Sequence, residues 1–159
     1  MPFDPAEQRK ILGSYATGVT VITTNSEPPT GLTANSVTSL SLDPPLVLFA
    51  VDKRASSLQA FKDTGCFAVN ILTAEQQDIS NRFASPGPKD FSDLDTRTAE
   101  TGAPVLGGCL GWVDCRLQYI LPGGDHDIFV GEIVAGEYLG GDPLLYFAGK
   151  YRDVAPMDE

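Results

Sequence analysis

The feature that most constrains this sequence is how its strand-forming segments follow one another with almost no helix between them. Gly111 to Leu121 and Asp127 to Leu139 read as two long strands joined only by Pro122-Gly123-Gly124-Asp125-His126. Five residues cannot make the crossover that parallel neighbours need, so this pair is expected to be antiparallel. Earlier, Val19-Thr20-Val21-Ile22-Thr23-Thr24 is β-branched at every position and reads as a strand. After turn-type residues from Asn25 to Pro29, a long small-residue strand is expected from Thr30 to Leu42. Asp43-Pro44-Pro45 breaks it. The apolar run Leu46-Val47-Leu48-Phe49-Ala50-Val51 then reads as a strand buried on both faces. Cys66 to Leu72 is a further strand, and the chain closes with Leu144-Leu145-Tyr146-Phe147 and Gly149-Lys150-Tyr151.

Helices are few. Asp4-Pro5-Ala6-Glu7 is a helix-start signature, with Asp at the N-cap and Pro at the first helical position. That helix is expected to run to about Gly18 with Ile11, Leu12 and Tyr15 buried. A second should begin near Ser56 or Ser57 and pass through Leu58 and Phe61 to Gly65, a C-terminal glycine cap. Thr73 and Gln76 form a capping box for a third, on which Ile79 and Phe83 lie four apart. Residues 85–103, rich in Pro, Asp, Ser and Gly, are expected to form an irregular excursion. Helices that do not alternate with strands argue against a doubly wound parallel sheet. The expected fold is therefore mainly β within the α+β class. It is a closed antiparallel barrel with a few packed helices, a single domain over residues 1–159.

A chain of 159 residues buries roughly two thirds of its unfolded surface, so it needs no disulfide staples. Cys66, Cys109 and Cys115 are an odd set without a C-x-x-C pair and are expected to be small core residues. No basic segment followed by an apolar run opens the chain, and no stretch approaches the roughly 20 apolar residues of a membrane helix. A cytoplasmic protein without membrane partners is expected. The formal net charge of −10, from 21 acidic and 11 basic residues, repels phosphate backbones, so no nucleic-acid partner is expected.

Several common active-site patterns are missing. No G-x-G-x-x-G lies between a strand and a helix, and no P-loop occurs. With His126 as the only histidine and no G-x-S-x-G elbow, a Ser-His-Asp arrangement has little to build on. No metal site is expected.

Three segments could carry chemistry. In Thr33-Ala34-Asn35-Ser36-Val37-Thr38-Ser39, strand alternation would put Thr33, Asn35, Val37 and Ser39 on one face and Ala34, Ser36 and Thr38 on the other. Small side chains let a flat ring approach the backbone, whose N–H and C=O groups can read its polar edge; a polar solvated strand face fits the same pattern. Asp52-Lys53-Arg54-Ala55-Ser56-Ser57-Leu58 lies between a strand and a helix start. Free N–H groups, two hydroxyls and two cations there suit a phosphate, although an ordinary serine N-cap beside solvated cations accounts for them as well. Gly124-Asp125-His126 places the lone histidine in a strand connection, where it is either a surface residue or a catalyst.

Taken together, Gly18 to Thr24, Gly31 to Ser36 and Ser39 to Leu46 resemble the short-chain flavin reductases, the reductase components of two-component flavin monooxygenases. The likeness continues through Ser56-Ser57, Phe67 to Leu72, Arg82-Phe83, Lys89-Asp90-Phe91, Gly124-Asp125-His126 and Gly149-Lys150-Tyr151, spanning about residues 8 to 152. The resemblance implies an FMN-binding split barrel that forms a homodimer with the flavin near the subunit interface. It places Thr33 to Ser39 along the isoalloxazine and ribityl chain, and Lys53, Ala55, Ser56 and Ser57 at the phosphate beside Ala50, Val51 and Asp52. Phe83, Ala84 and Lys89 would border the site. His126 and Tyr151 match positions near the flavin, where a nicotinamide stacks. Ala55 stands where relatives can carry a polar residue, which bears on phosphate affinity and on the choice between FMN and FAD.

The implied activity is reduction of FMN or FAD by NADH or NADPH, with reduced flavin passing to a separate monooxygenase. Hydride transfer between two rings needs alignment and water exclusion rather than a protein nucleophile, consistent with the missing acid–base dyad. His126 would orient the nicotinamide or protonate reduced flavin. The alternatives are a flavin binder without reductase activity, the same barrel holding haem or pyridoxine phosphate, and a purely structural dimer.

Overall fold

The computed structural model describes residues 1–157. Helix α1 (Pro5–Gly13) leads to strands β1 (Thr17–Gly18), β2 (Thr20–Thr24), β3 (Thr30–Ala34), β4 (Thr38–Leu42) and β5 (Pro45–Asp52). Helix α2 (Leu58–Thr64), β6 (Cys66–Ile71), a 3-10 turn (Ala74–Gln76) and α3 (Gln77–Ala84) follow. The short strands β7 (Thr96–Arg97) and β8 (Val105–Leu106) precede the long hairpin of β9 (Gly111–Gly123) and β10 (His126–Tyr138), then β11 (Leu145–Phe147) and β12 (Lys150–Arg152). Among the described residues, no helix is long and apolar enough to cross a membrane.

Seven strands form one antiparallel sheet in the order β3-β2-β6-β9-β10-β5-β4. Its two edge strands, β3 and β4, are consecutive in sequence and separated only by Asn35-Ser36-Val37. So short a bridge forces the sheet to curl until its edges face each other, which makes a barrel split along one seam. The continuous strand expected from Thr30 to Leu42 is thus two strands on opposite edges. The alternation expected through Asn35 and Val37 does not hold, because the chain leaves one ladder and joins another there. Ser36 fastens the seam: its Oγ accepts from Ala50 N at 3.0 Å and donates to Ala50 O at 3.1 Å.

Phenylalanines fill the barrel. Phe49 stacks on Phe129 at 5.3 Å and meets Phe61 and Phe67 edge-on at 5.5 and 4.8 Å. Such edge and offset contacts add to a large burial of apolar area. Strand β5 contributes Val47, Phe49 and Val51 to this interior while its alternate residues stay partly exposed. It is therefore a one-sided strand rather than one buried on both faces, because it lies next to the edge strand β4 with only one face in the barrel. Gly131 on β10 is required here, since a Cβ would come within 2.4 Å of the Phe67 ring.

β6, like its neighbour β2, is buried on both faces. Phe67 and Val69 point into the barrel, while Cys66 and Ala68 pack under Ala103, Val105, Cys109 and Trp112. Buried polar groups hold that outer layer in place. Asn70 donates to Val21 O at 3.0 Å and accepts from Leu106 N at 2.9 Å, and Asp114 accepts from Thr101 N at 2.8 Å. All three cysteines are buried and unpaired, and burial pushes the Cys115 thiol up to about 12.

The helix caps form as expected at Asp4, at Gly65 with φ +66°, and at the Thr73/Gln76 box. The length of α1 and its buried stripe do not. The helix stops at Gly13, and Ile11, Leu12 and Tyr15 are 51%, 63% and 78% exposed. The residues after Gly13 are needed elsewhere: Thr17 and Gly18 pair with Tyr146 and Leu145, and Gly13 O accepts from Ala148 N at 2.8 Å.

Candidate functional site

Three connected hollows meet at the seam. A compartment of about 370 Å³ lies between β3, the end of β5, the turn before α2 and the end of α3. Beside it, a hollow of about 190 Å³ is lined by Val19, Thr33, Asn35, Ser80, Ala84, Tyr146 and Tyr151. A cleft of about 1110 Å³ runs from there under α1. Asn35 borders all three, and Ser36 and His126 stand between the compartment and the cleft.

The backbone at this junction is unusual. Asn35, Ser36 and Val37 lie outside both flanking strands, and among the described residues their N–H and C=O groups make no backbone hydrogen bond. Neighbouring hydroxyls are already used: Thr33 Oγ1 donates to Ser80 O at 2.6 Å, and Ser36 is held by Ala50. Main-chain groups of three successive residues, with the Asn35 amide, are what remains to meet a ligand. A planar ring with a polar edge fits that set.

The far end of the compartment suits an anion. Backbone bonds in the turn run from Ala55 N to Asp52 O and from Leu58 N to Ala55 O, so Ser56 N–H and Ser57 N–H have no protein acceptor among the described residues. Ser57 is buried, yet its hydroxyl makes no cap bond. Lys89 lines the same wall and donates to Ser85 O. Burial pushes its pKa down, a cost that an incoming anion would relieve. Two amides, two hydroxyls and an ammonium match a phosphate.

The cations of the Asp52–Ser57 segment lie elsewhere. Arg54 clasps Asp52 through Nε at 3.1 Å and the terminal nitrogen at 2.8 Å. This pairing holds the Asp52 carboxyl well below the usual carboxylate range and leaves Arg54 turned to solvent. Lys53 is exposed and does not line the hollows; its N–H donates to Asp125 O at 2.9 Å.

His126 opens β10 and pairs in register with Asp52 of β5. Its Nδ1 lies 2.7 Å from Asp125 Oδ1. A carboxylate can only accept, so Nδ1 carries the proton and Nε2 is left for a ligand. The same contact holds the Asp125 carboxyl below its ordinary value. Tyr151, on β12, has its hydroxyl 2.7 Å from Ser80 Oγ and donates to Asn81 Oδ1 at 3.1 Å. The C-terminal hairpin is thereby tied to α3.

Of the residues singled out from sequence, Thr33, Ala34, Asn35, Ser36, Ala50, Val51, Asp52, Ala55, Ser56, Ser57, Phe83, Ala84, Lys89 and His126 all line the compartment. Tyr151 lines the small hollow, and Val37 and Thr38 line the cleft. Ser39 faces outward on β4 and lines none of them. Sequence reasoning missed Ser80, Ser85, Tyr146 and the cleft-facing side of α1. That last signal was present in the spacing of Pro5, Gln8, Arg9, Leu12 and Gly13, one face of a helix.

Residues 12–155 match the flavin reductase like domain family. The chain belongs to that family. It is 40% identical over 96% of its length to the "Flavin-dependent monooxygenase, reductase subunit HsaB" of Mycobacterium tuberculosis, covering 84% of that protein. It is 42% identical over 90% of its length to the "FMN reductase (NADH) SmoA" of Agrobacterium fabrum, covering 82% of it. Among solved structures, the NADH:FAD oxidoreductase SgcE6 of Streptomyces globisporus superposes with a TM-score of 0.92 at 38% identity, over 98% of this chain and 96% of that one. The antiparallel barrel expected from sequence is the fold of this family member.

Proposed function

We propose that this chain is a flavin reductase: it binds a flavin nucleotide across the seam of the barrel, reduces it with NADH, and releases it to a separate monooxygenase. The observation that carries the reading is the run of unpartnered main-chain groups at Asn35, Ser36 and Val37, placed between a phosphate receptor and His126. The relatives support the chemistry, being named a monooxygenase reductase subunit, an NADH-dependent FMN reductase and an NADH:FAD oxidoreductase.

Each residue has a task in this reading. Asn35 to Val37 read the polar edge of the ring through backbone groups. Ser56, Ser57 and Lys89 hold the phosphate, with Ala50, Val51 and Ala55 giving close approach. Phe83 and Ala84 wall off water. His126 Nε2 donates or accepts at the nicotinamide side, held in its tautomer by Asp125. Tyr151 fixes the hairpin that closes the small hollow. When bound, the flavin supplies a ring that accepts a hydride from the nicotinamide, so the protein contributes alignment and dryness rather than a nucleophile.

Relatives named for FMN and for FAD reduction support either flavin, and NADPH is proposed as a second donor beside NADH. A homodimer is part of the proposal, supported by large apolar side chains left at the surface, among them Leu42 at 92% and Tyr138 at 87% exposure. A cytoplasmic location is supported by three thiols that remain unpaired. The test is an anaerobic titration of the flavin-loaded protein with NADH and NADPH separately. Bleaching of the yellow absorbance by at least one donor is expected; retention of colour with both would reduce the chain to a flavin binder.

A further inference from the structure

Building on the reductase reading, we propose that Arg9 is the residue that grips the pyrophosphate of the nicotinamide dinucleotide, in the cleft beneath α1. The cleft gives the second nucleotide a way in. At about 370 and 190 Å³ the two hollows assigned to the flavin leave no space for another dinucleotide, whereas the cleft holds about 1110 Å³. It ends at Asn35, Ser36 and His126, the residues it shares with the flavin compartment. A nicotinamide entering there reaches the flavin ring, and the rest of the molecule must lie back along α1.

A pyrophosphate brings negative charge into a protein whose formal net charge is already −10, so a cation must meet it. Among the described residues lining the cleft, Arg9 is the single lysine or arginine. Among the described residues its side chain makes no hydrogen bond or ion pair, whereas Arg54, Arg82 and Arg97 are each committed to a carboxylate. The one carboxylate among the residues lining the cleft, Asp125, already holds His126 at 2.7 Å. Arg9 also sits on the correct side of its helix. The cleft-facing stripe follows helical spacing, and α1 buries none of its residues. That face therefore does not serve the core, and a planar forked donor on it can take two phosphate oxygens at once.

The test uses the full-length, FMN-loaded protein and its Arg9→Gln and Arg9→Lys variants. ADP-ribose, which has the pyrophosphate but no nicotinamide, probes binding by calorimetry. NADH and the phosphate-free donor 1-benzyl-1,4-dihydronicotinamide probe turnover. Arg9→Gln should weaken ADP-ribose binding and lower kcat/KM for NADH about tenfold or more, as loss of a charged hydrogen bond does. FMN affinity and turnover with the phosphate-free donor should hold, and Arg9→Lys should recover part of the loss. Unchanged ADP-ribose affinity, or an equal fall with both donors, would overturn the assignment. If the unaltered protein reduces flavin with neither donor, the reductase reading itself fails, a result distinct from failure at Arg9.

Discussion

The barrel interior and the trough at its seam are built from the same strands, yet they differ in how fully their groups are partnered. Inside, Phe49, Phe61, Phe67 and Phe129 contact one another, and in the layer behind the sheet buried Asn70 and Asp114 have hydrogen-bond partners. At the seam, Asn35 to Val37, Ser56 and Ser57 leave N–H groups without protein acceptors among the described residues, and Lys89 carries charge against the cost of its burial. The interior is finished by folding, while in the proposed function a flavin nucleotide completes the trough.

The contrast predicts that substitutions in the two regions separate stability from affinity. Phe49→Ala should show the largest effect, destabilising the fold by about 3–5 kcal/mol in urea unfolding, with FMN affinity of the folded protein unchanged. Equal losses in both would mean that the interior and the trough are one unit. Lys89→Met should do the reverse, costing about 1.5–3 kcal/mol of FMN affinity with no fall in the unfolding midpoint. Its pH signature follows from the sign of the shift. Burial lowers the Lys89 pKa, so FMN affinity should fall as pH rises through a value below that of an ordinary lysine, and that alkaline limb should be absent in the variant.

His126→Ala should slow NADH oxidation by about tenfold, roughly 1.4 kcal/mol, while FMN binding stays within a small factor; unchanged turnover would remove the imidazole from the reaction. Tyr151→Phe should be smallest, costing about 0.5–1.5 kcal/mol of stability in all for its two partly exposed hydrogen bonds, to Ser80 and Asn81. Chiefly it should loosen the C-terminal hairpin, as read by hydrogen exchange at Tyr146 and Tyr151.

Much of this was legible in the sequence because local chemistry decided it. The Asp4 cap, the Thr73/Gln76 box and the Gly65 terminus form where residue type and spacing put them, and the β9–β10 hairpin forms with a tighter turn, Gly124-Asp125, than the five residues expected. Errors arose where a distant segment outweighed local preference. Thr30 to Leu42 has strand composition throughout, but β3 pairs with β2 and β4 with β5, so the chain must leave the ladder at Asn35. Gly13 ends α1 because the residues beyond it pair with β11. In the site, the hydroxyl and amide positions around Ser56 and Ser57 were readable. The capture of Arg54 by Asp52 was not, since two neighbouring charges in sequence do not say which of them faces the ligand.

The most direct check is to titrate the purified protein with FMN and, separately, with riboflavin, following quenching of flavin fluorescence. A trough that grips the ring and a receptor that grips its anionic tail should bind FMN at micromolar concentrations and riboflavin at least about tenfold more weakly, the loss of one charged contact set. Equal affinity for the two would contradict the phosphate receptor, and failure of both FMN and FAD to associate would contradict the account as a whole.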